Sequence, residues 1–399
     1  MSRLVIVDYN NFWSPSGGGV RRYHLERMKF YKDHPNALLV FVQNDGKTYT
    51  EKVSDSLIIE HTKAFRFPGN WEYRFLWKQI DLKPAIAKYK PDIIEVGSPY
   101  ILPKAIEKAC RGLEKEPILT AFWHADFPVT YVRRFFEKWG FPRFAKRAQS
   151  IAFAYARSSF KNYAKIEASS HEVMDRIQAN GFKPEQLEWI PLGVDLETFR
   201  PEARDEALVQ ELKAGDPNRL TLFFPHRFCD EKGLRLFLDA YPILCKELDS
   251  EPAVLFAGTG PDLPLVEEAA KKYKHIRYVG FIKSIDEMAR HYASVDMGLA
   301  LSGWETFGLS ILESMASGNA QIGAKTGAAF EHVTESKAGT ILMERTPHAL
   351  ADAIVELYRS DMQTMKQNAR AYAEKFSWND CFERQLSLYR KLYQEKRNS

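Results

Sequence analysis

Residues 302–318 read SGWETFGLSILESMASG, and their order indicates how the rest of the chain folds. Apolar residues recur at helical spacing through 306–317, which predicts an amphipathic helix there. Thr306 is the expected cap of this helix and Gly318 its expected stop. The apolar run 295–301 just before it predicts a buried strand. The helix therefore begins at the carboxyl end of a strand, where ligands bind in open α/β sheets.

Two carboxylates, Glu305 and Glu313, stand eight positions apart in this stretch. Eight residues of helix advance about 12 Å, roughly the span from the sugar to the ribose of a nucleotide sugar. The backbone amides of Phe307, Gly308 and Leu309 would then face a diphosphate at the positive end of the helix dipole. A surface helix with two ordinary glutamates is the alternative. The preceding strand, the glycines and the segments described below favour the ligand site.

The composition is that of a globular protein, with 45% hydrophobic and 27% charged residues. A chain of 399 residues is long enough for two domains with full cores. No stretch approaches the ~20 apolar residues of a membrane span, and the beginning, MSRLVIVDYNN, indicates a strand and not a signal peptide. The four cysteines show no CxxC pairing, which favours a reducing cytoplasm over a disulfide framework or a zinc site.

Charge is distributed unevenly along the chain. Residues 1–190 carry 30 Lys and Arg against 21 Asp and Glu, whereas the remainder carries 26 against 31. A basic front half suggests an anionic partner. Residues 130–165 concentrate this charge, since one acid, Glu137, stands among nine cations with interleaved aromatic residues. Such a segment can contact a membrane surface; a solvated helix face with its aromatics in the core is the alternative.

Short apolar runs alternate with helix-like stretches in both halves of the chain. This alternation predicts mostly parallel sheets with right-handed crossovers. Periodicity weakens at the sequence PLGVD, residues 191–195. We therefore predict an α/β protein with one domain over 1–195 and a second over 196–377. A last helix, at about 378–399, is expected to cross back to the first domain.

Glycines and a histidine follow predicted strands of the first domain. Gly17, Gly18 and Gly19 come after the first strand and would let backbone amides approach a phosphate or a sugar; a flexible turn is the alternative. Neither this loop nor GTGP at 258–261 has the third glycine of the dinucleotide fingerprint, which disfavours a nicotinamide oxidoreductase. His124 lies just past a strand, although a lone histidine is more often structural than catalytic.

Arg227 and Lys232 flank another turn between a strand and a helix. Two cations facing a helix N-terminus make a diphosphate site that works without metal. No DxD motif occurs in the chain, so a carboxylate-held Mg²⁺ or Mn²⁺ is not indicated. A salt-bridged turn is the alternative for either residue alone.

Taken together, these segments resemble a retaining glycosyltransferase of the GT-B class, family GT4. The resemblance covers nearly the whole chain. Its pieces are the 17–19 loop, His124, PLGVD at 191–195, Arg227 with Lys232-Gly233, GTGP at 258–261, VGF at 279–281, ETFGLSILE at 305–313 and GAAFE at 327–331. The implied fold is two Rossmann-like, doubly wound domains that face each other across a cleft.

The resemblance also implies roles for individual residues. Arg227 and Lys232 would hold the diphosphate, Glu305 and the amides of Phe307 to Leu309 the sugar, Glu313 the ribose, and His124 the C6 hydroxyl, with Gly18, Gly19, Phe281, Thr306 and Gly308 completing the substrate-binding set. The implied catalytic set is His124, Glu305, Arg227 and Lys232, with no metal or other cofactor. Three departures from the family pattern are His226 in place of a glycine, Ala328 within the glycine pair, and Asn319-Ala320 after Gly318.

The expected reaction moves a hexose from GDP-mannose or a UDP-hexose to a lipid, glycan or small-molecule acceptor, with retention of configuration assisted by the leaving phosphate. The protein is expected to be cytoplasmic or peripheral at the inner membrane face, and to bind no nucleic acid. A nucleotide-sugar epimerase or phosphorylase of the same architecture is one alternative. A non-catalytic sugar-nucleotide-binding protein is another.

Overall fold

The structure of the protein is a computed structural model that describes residues 3–14, 18–67, 70–97 and 99–398. Within that part of the chain, no helix combines the length and the apolar character needed to cross a membrane. Gly17, one of the three glycines expected to approach a ligand, lies outside the described residues.

The chain divides into two compact units. The N-terminal unit contains residues 1–192 together with 378–399, and the C-terminal unit contains residues 193–377. The sequence analysis placed these boundaries after residues 195 and 377. The last helix of the chain belongs to the N-terminal unit.

The N-terminal unit is built on an eight-stranded sheet that is parallel except at one edge. Its strands are β1 (Leu4–Tyr9), β2 (Ala37–Asp45), β3 (Tyr49–Lys52), β4 (Leu57–Lys63), β7 (Ile93–Val96), β8 (Ile118–Phe122), β9 (Lys165–Ala168) and β10 (Leu187–Trp189), and a separate hairpin contains β5 (Phe65–Phe67) and β6 (Asn70–Phe75). The spatial order is β10-β9-β8-β7-β1-β2-β4-β3. Strand order reverses between β1 and β7, as in doubly wound folds. The sequence did not predict β3, because all four of its residues are exposed and show no apolar alternation.

Seven α-helices accompany this sheet within the described residues. They are α1 (Gly19–Tyr31), α2 (Gln79–Tyr89), α3 (Leu102–Cys110), α4 (Arg134–Lys138), α5 (Pro142–Ser159), α6 (His171–Ala179) and the last helix of the chain, α15 (Trp378–Asn398). Helix α2 begins at Gln79, after the hairpin strand β6 ends at Phe75.

Helix α15 is fastened to the sheet by buried polar side chains. Gln385 donates to Glu95 on β7 at 3.0 Å and to Glu167 on β9 at 2.6 Å, and the Tyr389 hydroxyl also contacts both carboxyl groups. Arg27 of α1 lies 2.6 Å from Glu95 and balances its charge. Burial, together with the nearby Glu95, raises the pKa of Glu167 well above its usual range. Hydrogen bonds of this kind satisfy groups whose burial would otherwise be costly.

The C-terminal unit has a six-stranded sheet in which every pair of neighbours is parallel. Its strands are β11 (Thr221–Pro225), β12 (Ala253–Ala257), β13 (Ile276–Tyr278), β14 (Met297–Ala300), β15 (Ala320–Ala324) and β16 (Gly339–Leu342). Their spatial order is β13-β12-β11-β14-β15-β16, the 3-2-1-4-5-6 order of a dinucleotide-binding fold. The order reverses between β11 and β14, so the loops after these two strands border the expected ligand crevice.

The helices of the C-terminal unit are α7 (Glu206–Lys213), α8 (Leu234–Glu247), α9 (Leu263–Lys272), α10 (Ile285–Ala293), α11 (Leu309–Ala316), α12 (Ala328–Ser336), α13 (Pro347–Arg359) and α14 (Met362–Ala373). Strands β12 and β14, in the interior of the sheet, are buried at every position, as parallel strands with helices on both faces must be. Both units are therefore doubly wound α/β structures, which confirms the predicted fold class for each.

Candidate functional site

The loop between β14 and α11 ends in an open helix terminus. Helix α11 begins at Leu309, and its cap is Gly308, whose φ of 76° is a left-handed conformation that suits glycine. The predicted cap, Thr306, is therefore wrong, because residues 306–308 form a bend before the helix. The backbone amides of Phe307, Gly308 and Leu309 donate to no other described residue. These amides are free to receive an anionic ligand.

Glu305 also lies outside helix α11. Only the interval from Leu309 onward is helical, so the predicted 12 Å rise of continuous helix from Glu305 to Glu313 is wrong. Glu313 lies on the second turn of the helix and is half-buried. The helical spacing of the apolar residues does not show where the bend ends and the helix begins. Gly308 also has no side chain that could mark the start of the helix as a cap.

Lys232 and Glu305 meet across the point where the strand order reverses. The Lys232 ammonium donates to Glu305 Oε1, and each side chain is mostly buried, with 22% and 24% of its surface exposed. Burial alone would raise the pKa of Glu305, but the facing Lys232 holds it below its usual range. Burial alone would lower the pKa of Lys232, but Glu305 raises it. Both groups are therefore charged at neutral pH.

Close packing of two loops positions Lys232. It ends a short 3₁₀ turn, and Gly233, with φ 80°, then caps α8. A Cβ at Gly233 would lie 2.7 Å from Leu301 Cβ, so only glycine lets the β11–α8 loop approach the β14–α11 loop this closely. Arg345 joins the same loops, because its guanidinium donates to the carbonyls of Leu301 at 2.8 Å and Asp230 at 2.9 Å. The sequence analysis missed Arg345, which follows β16 and belongs to no motif.

Arg227 is exposed and makes no hydrogen bond or ion pair with any other residue that the structure describes. Its neighbour His226 holds the ends of the two central strands together, since Nε2 lies 3.0 Å from the Leu299 carbonyl oxygen. Burial, with a further contribution from Lys232, lowers the pKa of His226 to about 4. The ring is therefore neutral and donates to that carbonyl. His226, which stands where the family pattern has glycine, therefore joins the ends of two strands. Arg227, beside it, has no partner among the described residues.

The GTGP turn at 258–261 supports the loop that carries Arg227. The backbone amide of Phe228 donates to the Thr259 carbonyl at 3.0 Å. A Cβ at Gly258 would meet the His226 carbonyl oxygen at 2.2 Å, and one at Gly260 would meet the Phe228 carbonyl oxygen at 2.3 Å. The glycines of this turn therefore serve close packing of two loops, which agrees with the failed dinucleotide fingerprint.

The loop before α12 fixes the backbone around Glu305. The Thr326 hydroxyl donates to the Gly303 carbonyl at 3.2 Å, and the Ala328 amide donates to the Glu305 carbonyl at 3.1 Å. Gly327 has a φ of 74°, and a Cβ there would lie 2.9 Å from the Gly303 carbonyl oxygen. The first glycine of the expected pair is thus required, whereas Ala328 is fully buried and accommodated.

His332 of α12 lies beneath the open end of α11. Its Nε2 is 2.6 Å from the Phe307 carbonyl oxygen, and its Nδ1 is 3.2 Å from the Tyr372 hydroxyl. Burial lowers the pKa of His332 to about 4, so the ring is neutral and its Nε2–H donates to the carbonyl. The Phe307 carbonyl and the Gly308 amide belong to one planar trans peptide and point in opposite directions. His332 therefore directs the Gly308 amide away from itself, out of the core.

The remaining predicted residues fall in both units. In the C-terminal unit, Phe281 follows β13 and is 60% exposed. In the N-terminal unit, Gly18 precedes α1, and open space surrounds the position of its missing Cβ, while Gly19 is the first residue of α1. His124 follows β8 and stacks on Phe122 with ring centroids 4.4 Å apart. Burial and the neighbouring His24 lower the pKa of His124 well below its usual range, so it is neutral.

Gly327→Ala should weaken the support of the Glu305 loop. We expect it to lower the free energy of unfolding by about 1–3 kcal/mol for a backbone conformation that is nearly restricted to glycine, with a further loss from contact with Gly303 and Glu305, and to lower donor turnover about tenfold. Gly215→Ala is the matched control, because Gly215 has a φ of 83° and nothing near its Cβ position. Chemical denaturation and donor kinetics measure both effects. Equal losses in the two variants would contradict the assigned contact.

Two family models match the chain. "Glycosyltransferase Family 4" matches residues 17–198, and "Glycosyl transferases group 1" matches residues 219–360. The chain is 27% identical over 383 residues to the "GDP-mannose-dependent alpha-(1-6)-phosphatidylinositol dimannoside mannosyltransferase" of Mycobacterium tuberculosis, which covers 94% of this chain and 92% of that protein. It is 26% identical over 306 residues to the "Sulfoquinovosyl transferase SQD2" of Arabidopsis thaliana, covering 73% of this chain and 55% of that protein.

Solved structures show the same fold at low identity. Sucrose-phosphate synthase from Thermosynechococcus elongatus superposes with a TM-score of 0.77 at 16% identity and covers 98% of this chain and 100% of that one. Anabaena Alr3699/HepE in complex with UDP-glucose superposes with a TM-score of 0.66 at 16% identity, covering 97% and 100%. These likenesses extend over nearly the whole chain and agree with the strand orders described above.

Proposed function

We propose that this chain, which belongs to family 4 of the GT-B glycosyltransferases, transfers a sugar from a nucleoside-diphosphate sugar to a glycolipid at the cytoplasmic face of a membrane. One observation supports the site above all. Lys232, Glu305 and three amides that have no partner among the described residues converge where the strand order of the C-terminal unit reverses. Ligands of doubly wound sheets bind at this point.

Lys232 and the open helix end are suited to a diphosphate. A lysine ammonium has three N–H donors, of which Glu305 takes one, so the others remain for phosphate oxygens. The amides of Phe307 to Leu309 add donors at the positive end of α11. Arg227 supplies a second cation from the β11–α8 loop, which also carries Lys232. These groups stabilise the negative charge that develops on the leaving nucleoside diphosphate, and they need no reorganisation at that moment.

Glu305 retains a second carboxylate oxygen after pairing with Lys232. Since Lys232 keeps Glu305 ionised, this oxygen accepts a hydrogen bond from a sugar hydroxyl. Glu313, one turn into α11, is proposed to bind the ribose diol, and His124 a hydroxyl of the sugar. The proposed reaction retains configuration, with the acceptor attacking the face that the diphosphate leaves.

We propose that transfer needs no metal, because Lys232 and Arg227 provide the positive charge that a divalent cation would otherwise supply. In the described part of the chain, no group of three His, Cys, Asp or Glu side chains could hold a metal ion. GDP-mannose is the first donor to test and a UDP-hexose the second, since the mycobacterial relative is named for GDP-mannose and a phosphatidylinositol mannoside.

Incubation with radiolabelled nucleotide sugars tests this proposal. We expect one donor to give labelled glycolipid when membrane lipid extract is present, with the same rate in EDTA, and only slow hydrolysis without acceptor. Conversion of the donor to an epimer without acceptor would contradict transfer and favour the epimerase alternative. Tight donor binding without release of nucleoside diphosphate would favour a binding protein.

A further inference from the structure

An unusual surface covers part of the N-terminal unit. Fifteen large hydrophobic side chains are exposed in the described chain, and seven of them lie within the 25 residues 131–155. The most exposed aromatic rings among these seven are Phe135 at 56%, Trp139 at 66% and Phe141 at 60%. Phe135 and Trp139 lie on α4 with ring centroids 5.9 Å apart, and Phe136 reaches Phe144 of α5 at 4.9 Å. The rings therefore form one continuous patch.

Helix α5 presents most of its large apolar residues outward. Its buried face contains one large ring, Phe153, and otherwise mainly alanines, at positions 145, 148, 152 and 156. Its exposed face carries Phe144 at 52% and Ile151 at 60%. A helix that only had to fill a core would bury Phe and Ile and expose alanine. The aromatic residues of α4 and the start of α5 are therefore not in the core, which excludes that alternative from the sequence analysis.

Cations surround this patch without acids to neutralise them. Lys138, Arg143, Lys146 and Arg147 are exposed, and none makes an ion pair with another described residue. The only acid in residues 130–165, Glu137, is already paired with Arg133 at 2.6 Å. Large exposed apolar patches of this kind mark interaction sites.

The patch, hereafter the aromatic–basic surface, consists of Tyr131, Phe135, Trp139, Phe141, Phe144 and Ile151 with the four cations just named. Its segment leaves the sheet after β8, whose carboxyl end also carries His124. Protein interfaces are depleted in lysine, whereas surfaces that lie in the lipid interface combine Lys and Arg with Trp and Phe. The chemistry therefore favours lipid over protein as the occupant.

We propose that the aromatic–basic surface docks the N-terminal unit on an anionic lipid bilayer. The aromatic rings insert among the headgroups and acyl chains, and the four cations bind acidic headgroups. Docking places the carboxyl edge of the N-terminal sheet at the membrane. The proposal goes beyond sugar transfer and stands without it, because lipid binding requires neither donor nor acceptor.

Vesicle sedimentation of the full chain tests this proposal. We expect binding to vesicles of equal parts phosphatidylcholine and phosphatidylglycerol, at least about tenfold weaker binding to phosphatidylcholine alone, and weakening with salt. Phe135→Ser with Trp139→Ser should weaken anionic binding about tenfold. The matched control is Phe65→Ser with Trp77→Ser, an exposed Phe–Trp pair of the same unit with centroids 6.4 Å apart, which should bind as the parent does.

A charge variant provides an independent test. Lys138→Gln, Arg143→Gln and Lys146→Gln together should weaken binding and reduce its salt dependence, whereas Lys246→Gln, Lys271→Gln and Lys274→Gln on the C-terminal unit should not. Quenching of tryptophan fluorescence by brominated lipid should fall when Trp139 is removed. Parent-like vesicle binding by the Phe135/Trp139 variant, equal binding to neutral and anionic vesicles, or aromatic-independent binding to a soluble polyanion would each overturn the proposal.

Discussion

Lys232→Ala should lower sugar transfer by ~10³-fold, the upper range for removing one preorganised donor to a developing charge. The substitution removes the ammonium that is proposed to bind the leaving diphosphate. It also leaves the Glu305 carboxylate without its partner, so its pKa should rise and its affinity for a sugar hydroxyl should fall. We expect most of the loss in kcat, because both effects are largest when charge develops on the leaving group. Initial-rate kinetics over a range of donor concentrations measure it.

The control for this prediction is Arg235→Ala. Arg235 lies three residues further along the chain, on α8, where it is exposed and pairs with Asp262 at 2.6 Å. Its substitution therefore removes a nearby cation without touching the proposed site. Arg227→Ala should also reduce transfer strongly, since Arg227 is the second cation of the loop that carries Lys232 and has no partner among the described residues. Lys232→Arg keeps the charge with a different shape and should recover part of the rate. Parental turnover in both Lys232→Ala and Arg227→Ala would refute the diphosphate assignment.

The sequence located the elements that carry the candidate site, but it did not reveal how their side chains meet. A strand, a glycine bend and an amphipathic helix located the end of β14, and the cations after β11 followed from the same reasoning. The pattern did not reveal that Lys232 pairs with Glu305, because 73 residues separate them and only the 3-2-1-4-5-6 strand order brings β11 beside β14.

Supporting residues were beyond prediction for the same reason. Arg345 reaches the Leu301 and Asp230 carbonyls from the loop after β16, and His332 reaches the Phe307 carbonyl from α12. Each interaction joins a side chain to a backbone oxygen, and any polar residue of suitable length at the right place can make it. No local periodicity or spacing marks such a residue. The buried hydrogen bonds from Gln385 to Glu95 and Glu167 likewise join residues that are far apart in the sequence.

His332→Leu should lower kcat by ~10²-fold, the loss expected when one preorganised donor is misdirected. Leucine fills the space but cannot hold the Phe307 carbonyl, so the peptide is free to rotate and the Gly308 amide no longer points toward the proposed diphosphate. His332→Gln retains an amide N–H where Nε2 lies and should restore much of the rate. Tyr372→Phe removes the partner of Nδ1 and the hydrogen bond to Glu335 but leaves the contact with the Phe307 carbonyl, and it should change kcat little. Equal kcat values in the leucine and glutamine variants would assign His332 to packing alone.

The pH dependence of stability provides a separate test of the same residue. The pKa of His332 is about 4 in the folded chain and near 6.5 when unfolded, so the unfolded chain binds the additional proton between these values. Stability is therefore fully present above about pH 6.5 and is lost as pH falls toward 4, by up to about 3 kcal/mol for this group. His226 has its own pKa lowered to about 4 and contributes in the same window, so only the difference between parent and His332→Leu isolates His332. Protonation would make both ring nitrogens donors, and Tyr372, which donates to Glu335 at 3.0 Å, would then accept from Nδ1. If urea denaturation gave parallel pH profiles for the parent and the leucine variant, His332 would not be the buried neutral donor that orients the Gly308 amide.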